Sequence, residues 1–395
     1  TMFLLLQIAR VGLILVLLSL PLTLLTGLSQ GNAIILCGVF TKLYVLFGGL
    51  SAVLWTDVLQ TIFLALGAVF CICLICCELP AGLLTVLQIG RDAGKFTMPP
   101  WHVPGGSPLT DFVELTMIVL LLHGVFNQLL YYSADQNVIQ RYLATPSNRE
   151  ARQGLWIGSL GVVPMFAFCT FLGTCLYVFL CPRLNTTSAT LRPDEVFPHF
   201  ILTQLPPGIV GLIVAALLAA AMSSVDSNLN AIAMIFQVDI YRRHLVKHRP
   251  DQHYLRAARL TTLVSGAVIT LGALALASAA VATLLELMFL VYAIFAGGLA
   301  GLFLLGMLSR RATAAGAGFG IVVSLVVNVY LVCSHFGWPL PESLCWPTHP
   351  YLIGAIGNTV LLIAGYGFSL VVRQKQTGPA LDRLTVWPAR VGRVA

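Results

Sequence analysis

Leu217-Leu218-Ala219-Ala220-Ala221-Met222-Ser223-Ser224-Val225-Asp226-Ser227-Asn228-Leu229-Asn230 is an apolar helix core with polar side chains set into it. The apolar run around it extends over about 205–240, and about 20 apolar residues suffice to cross a bilayer as a helix. It is therefore too long for one simple span. We expect a re-entrant or peripheral start near Pro206-Pro207 and a long helix from about Ile209. At helical spacing Ala220, Ser223, Ser224 and Ser227 form one stripe, with Asp226 three residues after Ser223. A carboxylate at the bilayer centre costs roughly 2.5–3.5 kcal/mol on insertion scales, so it marks function by default. Hydroxyls with a carboxylate make an all-oxygen surface. Such a surface suits Na⁺ or H⁺ better than a transition metal, which takes His or Cys. Serines alone in such a helix also back-bond to the preceding turn and allow tight packing.

Outward from this stretch the pattern repeats. We read about ten apolar runs, near 3–27, 32–49, 52–77, 112–132, 155–180, 205–240, 258–280, 283–307, 313–334 and 350–373. They are long and continuous, unlike the short alternating segments of a β-barrel. Of the 395 residues, 58% are hydrophobic and 9% charged, against about 25% charged in soluble domains. The lipid bilayer is the solvent this chain expects, and we read one transmembrane domain over 1–395 ending in a basic tail, 374–395. The formal charge of +7 is topology, not nucleic-acid binding. Segments 134–152, 241–259, 309–312 and the tail with the Arg373 before it fall on one side and hold 16 of the 22 Lys and Arg. The positive-inside rule makes that side cytoplasmic, in a plasma or inner membrane.

Further polar groups interrupt the spans. Trp55-Thr56-Asp57 begins one, where Asp57 caps the helix or lines an ion path. His123-Gly124, Asn127-Gln128 and Tyr131-Tyr132 lie on another, and aromatics with amides at mid-membrane suit a small polar solute. The tyrosines also fit an interfacial belt. Gly297-Gly298 reads as a close helix contact or a hinge. Cys71, Cys73, Cys76 and Cys77 lie in an apolar span without His or Asp neighbours, and read as small packing residues. Cys181, Cys333 and Cys345 sit toward the outer side, where a disulfide between the last two is open. Asn185-Thr186-Thr187 is a glycosylation sequon. The chain has no phosphate loop, no His-Glu-x-x-His and no catalytic constellation, so we expect no enzyme.

Gly48-Gly49-Leu50-Ser51-Ala52-Val53-Leu54-Trp55-Thr56-Asp57-Val58-Leu59-Gln60 resembles a signature of the sodium/solute symporter family. Asp135-Gln136-Asn137-Val138-Ile139-Gln140-Arg141-Tyr142-Leu143 resembles a second marker. The run Leu217–Arg243 resembles a third, and Phe303–Met307 with Arg310-Arg311 a fourth. The resemblance implies an all-α membrane protein of the inverted-repeat, five-plus-five transporter fold. The chain then begins at the third core helix, and we expect an N-terminally incomplete chain. The resemblance further implies that the Ala220 carbonyl and the Ser223 and Ser224 hydroxyls hold sodium. It implies a second sodium or exit path at Asp57, Asp226 and Ser227, with Asp226 in place of the family's Ser or Thr. Gln128, Tyr131 and Tyr132 match substrate-side and inner-gate positions, with Asn127 beside them. Sugar carriers of the family place a Lys where Gly161 stands and a Gln where Phe289 stands, which argues against glucose.

The expected function is sodium-coupled symport of a small polar organic solute by alternating access, with sodium, the solute and the bilayer as partners and no nucleic acid. A proton-coupled carrier using Asp226, or a solute sensor on the same fold, are the alternatives.

Overall fold

The computed structural model describes residues 2–107, 110–184, 193–277, 284–336 and 341–372; the side chains of residues 2, 44–57, 181–184, 193, 220, 284–286, 289–290, 336 and 342 lie outside the described residues. Asp57, Ala220, Phe289 and Cys181 are thus not described at side-chain level, and the sequon and the basic tail fall outside altogether. Among the described residues the chain is helical, without strands. The helices are α1 (Met2–Thr26), α2 (Gln30–Glu78), α3 (Leu83–Asp92), α4 (Met117–Ala134), α5 (Gln136–Leu143), α6 (Asn148–Leu184), α7 (Val196–Gln204), α8 (Pro207–Ile235), α9 (Asp251–Ala277), α10 (Leu284–Ala296), α11 (Leu299–Leu308), α12 (Ala314–Phe336) and α13 (Pro350–Val371). Nine stretches of these helices are long and apolar enough to cross a membrane.

Local chemistry explains the boundaries. α2 starts at Ser29, whose side chain accepts the Asn32 N–H, and stops at Leu79, before Pro80. Nothing between them breaks a helix: the stretch has no proline, and a glycine pair weakens a helix without ending it. The runs expected separately at 32–49 and 52–77 are therefore one continuous helix. α8 begins where expected: Pro206 is extended, and Pro207 takes the first turn, where its missing N–H costs nothing. Its foot widens into a π-helical turn, Phe236–Leu245, that carries Arg242 and Arg243.

The chain forms two compact units. One comprises residues 7–97 and 141–286. In it α2, α8 and α9 pack together, and α2 also meets α6. Cys71, Ile75, Val86, Cys175, Phe179, Phe200 and Ile213 share its core. Cys71 and Cys175 are thus packing residues, and among the described residues no three His, Cys, Asp or Glu side chains cluster so as to share a metal ion. The Lys42 stem lies against Gly266 of α9.

The other unit comprises residues 1–6, 98–140 and 287–395. Here α12 lies along α13, which also meets α4 and α11. Glycines let the backbones approach: a methyl at Gly320 would stand 2.9 Å from the Leu361 carbonyl oxygen and 3.0 Å from the Gly365 Cα. Small residues of this kind are how helices pack tightly in lipid. Beyond α12 the chain folds back on it, with the Tyr330 hydroxyl on the Leu344 carbonyl (2.6 Å) and Ser334 Oγ accepting the Trp346 N–H (2.6 Å). Cys333 and Cys345 are both thiols there. The His349 N–H then reaches the Phe112 carbonyl at 3.0 Å. Asp111 binds the same region together, accepting from the Val103 N–H and meeting His102 Nδ1, each at 2.7 Å.

Candidate functional site

In the first unit, α8 buries Val225, Asp226, Asn228, Leu229, Ala231, Ile232 and Ala233. Asp226 is wholly enclosed, at 0% exposure. The serines lie beside this packed edge: Ser223 and Ser227 are half-buried and Ser224 is exposed. A step of three residues leaves side chains about 60° apart on a helix, which explains how Asp226 goes inward while Ser223 remains at the margin. Asn228 is spent locally, its Nδ2 donating to the Ser224 carbonyl at 2.7 Å. The helix thus carries a row of hydroxyls next to an enclosed carboxylate. That donor set is oxygen only and fits a small alkali cation. The Asp57 side chain lies outside the described residues, while Ala220, whose backbone carbonyl is the other expected ligand, lies within α8.

In the second unit, α4 separates the expected solute residues. His123, Asn127, Tyr292, Gly297, Tyr351 and Asn358 line a cavity of about 40 Å³, room for roughly one water-sized group. His123 Nδ1 sits 3.1 Å from the Tyr351 carbonyl, and the two rings lie 5.0 Å apart. Gln128, Tyr131 and Tyr132 do not line this cavity. Gln128 is exposed, Tyr131 is 40% exposed, and Tyr132 is half-buried with its ring edge-on to Tyr131. Asn127 therefore belongs with His123 on one face, and Gln128 with Tyr132 on another. Phe289 lies outside the described side chains.

The sequence reading left Gly297-Gly298 open between a contact and a hinge, and it did not single out Asn358 or Arg10. The span near 283–307 is broken into α10 and α11 at Gly297-Gly298. Asn358 holds that break, with Oδ1 accepting the Gly301 N–H at 2.7 Å. Arg10 stands half-buried inside α1, a span of mean hydropathy 2.4. The signal for Asn358 and Arg10 was plain: each is a polar or charged residue inside an apolar run.

The family model described as the sodium:solute symporter family matches residues 16–324. The chain belongs to this family. It is 31% identical over 366 residues to the sodium/sialic acid symporter SiaT of Proteus mirabilis, covering 92% of the chain and 70% of that protein. It is 28% identical to human sodium-coupled monocarboxylate transporter 1, covering 86% of the chain and 55% of that protein. Among solved structures it resembles the substrate-bound outward-open state of a Na⁺-coupled sialic acid symporter. The TM-score is 0.78 at 28% identity, over 94% of the chain and 73% of that structure. The symporter is thus a membrane protein of the inverted-repeat transporter fold. It couples a small organic solute to sodium.

Proposed function

We propose that the solute is a small carboxylate, with sialic acids the first candidates and monocarboxylates the second. The observation that carries this is Arg10. A guanidinium inside an apolar span is costly and marks a working position, and its planar fork matches a carboxylate in a bidentate pair. The relatives that transport sialic acid and monocarboxylates by name point the same way. Gly161 and Phe289, where sugar carriers have Lys and Gln, speak against glucose. Independently of Arg10, the family resemblance supports Gln128, Tyr131, Tyr132, Asn127 and Phe289 as solute-side residues.

Sodium binds the Ala220 carbonyl with Ser223 and Ser224, and a second cation passes through Asp57, Asp226 and Ser227. The full burial of the Asp226 carboxylate supports a second reading of that position, in which it carries a proton. Cation binding biases the single transmembrane domain toward a solute-competent state, which then opens to the opposite side. No covalent step is needed, and this is not an enzyme. The basic loops and the tail face the cytoplasm of a plasma or inner membrane.

A thermal-shift series on the full protein tests this, with sialic acids, monocarboxylates, glucose and proline in sodium and in potassium. Ligand binding raises apparent stability by mass action. Stabilisation by a carboxylate only in sodium, lost in Arg10→Ala, is expected. Stabilisation by glucose, or by a carboxylate equally in Arg10→Ala, would refute the assignment.

A further inference from the structure

Asn328 lies in the middle of α12 with 0% exposure, and neither its Oδ1 nor its Nδ2 has a hydrogen-bond partner. Buried amides are almost always paired, and one left alone is expensive. Its surroundings are shaped to admit it. A methyl at Gly297 would stand 2.5 Å from Asn328 Nδ2, and one at Gly357 would collide with Asn328 Oδ1. The Gly297 carbonyl points into the same space, 2.6 Å from that Gly357 methyl position. Gly297 is also where the span is broken.

The hydrogen bonds at the break explain why the carbonyl is there. In a continuous helix the Gly301 N–H would bond the Gly297 carbonyl, four residues back. Here that N–H bonds Asn358 Oδ1 instead, at 2.7 Å. The Asn358 amide is itself fixed in place, because its Nδ2 donates to the Gly354 carbonyl (2.8 Å), while the Ser324 hydroxyl donates to the neighbouring Gly357 carbonyl (2.8 Å). A methyl at Gly301 would stand 2.5 Å from the Asn358 carbonyl oxygen, so the broken span rests directly on α13.

We propose that Asn328 and Asn358 form a two-position clasp that sets the bend of the α10–α11 span during transport. In the bent arrangement seen here, Asn358 holds the Gly301 N–H and the Asn328 amide is unpaired. When the span straightens, the Gly301 N–H returns to the Gly297 carbonyl. Asn358 Oδ1 is then released to accept from Asn328 Nδ2. One bond is exchanged for two, so the unpaired amide destabilises the bent arrangement and speeds departure from it. Neither residue touches solute or sodium in this scheme, and both are positioning residues. The inference rests on the chain working as a symporter.

The test compares Asn328→Leu, Asn358→Leu and Asn358→Asp in the full-length transporter. Sodium-driven uptake into proteoliposomes is measured beside thermal unfolding in detergent. The clasp predicts that Asn328→Leu melts higher than wild type yet turns over at least about tenfold more slowly, equal to about 1.4 kcal/mol on the barrier. KM should move less than the turnover rate. Asn358→Leu should lose turnover as well, and Asn358→Asp, which still accepts from Gly301, should restore it. Asn328→Leu that melts higher and transports at the wild-type rate would overturn the proposal, since the amide would then be only a cost. So would Asn328→Leu that melts lower, since the amide would then be paired at rest. Wild type without sodium-driven uptake would sink the transport reading itself, and Asn328→Leu melting lower would overturn the clasp whatever the uptake shows.

Discussion

Two glycines on one helix give a controlled measure of how tightly the second unit is built. A methyl at Gly320 of α12 would meet the Leu361 carbonyl oxygen at 2.9 Å, the Gly365 Cα at 3.0 Å and the Gly365 nitrogen at 3.1 Å. All three are backbone atoms, so α13 itself must shift. At Gly318, two residues away on the same helix, a methyl meets nothing within 4 Å. Replacing either glycine by alanine gains the same helix propensity, about 1 kcal/mol. Only Gly320→Ala adds the steric cost, about 1–3 kcal/mol for overpacking a close contact. The propensity cancels between the variants, so their difference reads the contact alone. Equilibrium unfolding in mild detergent should place Gly318→Ala at or above wild type and Gly320→Ala about 1–3 kcal/mol below Gly318→Ala. If the two melt alike, α12 and α13 do not meet backbone to backbone, and the argument for glycine-mediated packing fails.

Sodium-dependent stabilisation should vanish in Ser224→Ala. For a site filled at 100 times its dissociation constant that is a loss of about 2.7 kcal/mol, and an unchanged sodium response would remove Ser224 from the site. Gln128→Ala should weaken solute binding, and sodium and solute should still enhance each other by one shared factor when each is titrated against the other. Unequal factors at equilibrium would contradict a single coupled cycle. Acid should loosen the segments around Asp111 and His349. The His102 ring, and then the Val103 N–H, hold the Asp111 carboxyl below its ordinary value of 3.8. Its stabilisation is therefore present above that value and lost as pH falls through the lower, folded one. Burial, and then His335, push His349 below its ordinary 6.5, with Glu114 opposing and His123 adding to the shift. The folded state thus favours neutral His349, and stability falls as pH drops from about 6.5 toward the folded value. Hydrogen exchange near 349–352 should rise between about pH 7.5 and 5.5 and rise less in His349→Phe; equal rises would discharge His349.

Much of this was legible in the residues. The Pro206-Pro207 boundary and the polar row on α8 follow from proline chemistry and helical spacing. The continuity of α2 did not, because its apolar stretch has spanning length twice over and no local residue marks where a span must end. Asp226 showed as an intramembrane carboxylate, but its full enclosure is a product of tertiary packing, which no local pattern reports. Gly297-Gly298 read as a close helix contact or a hinge, with contact the favoured reading, and the pair stands at a break between α10 and α11 in close contact with α12 and α13. The choice was settled by Asn358, some 60 residues on, a partnership that only tertiary packing creates.

The close fit of α12 and α13 also bears on how the chain is made. These helices are consecutive and meet through glycines, so they can pair as soon as both have left the ribosome. Each then hides the other's costly groups. Ser324 finds the Gly357 carbonyl across that seam, and Asn328 sits against Gly357 instead of acyl chains. Insertion as a ready-made hairpin spares the translocon from delivering a bare amide into hydrocarbon, where an unsatisfied polar group costs several kcal/mol.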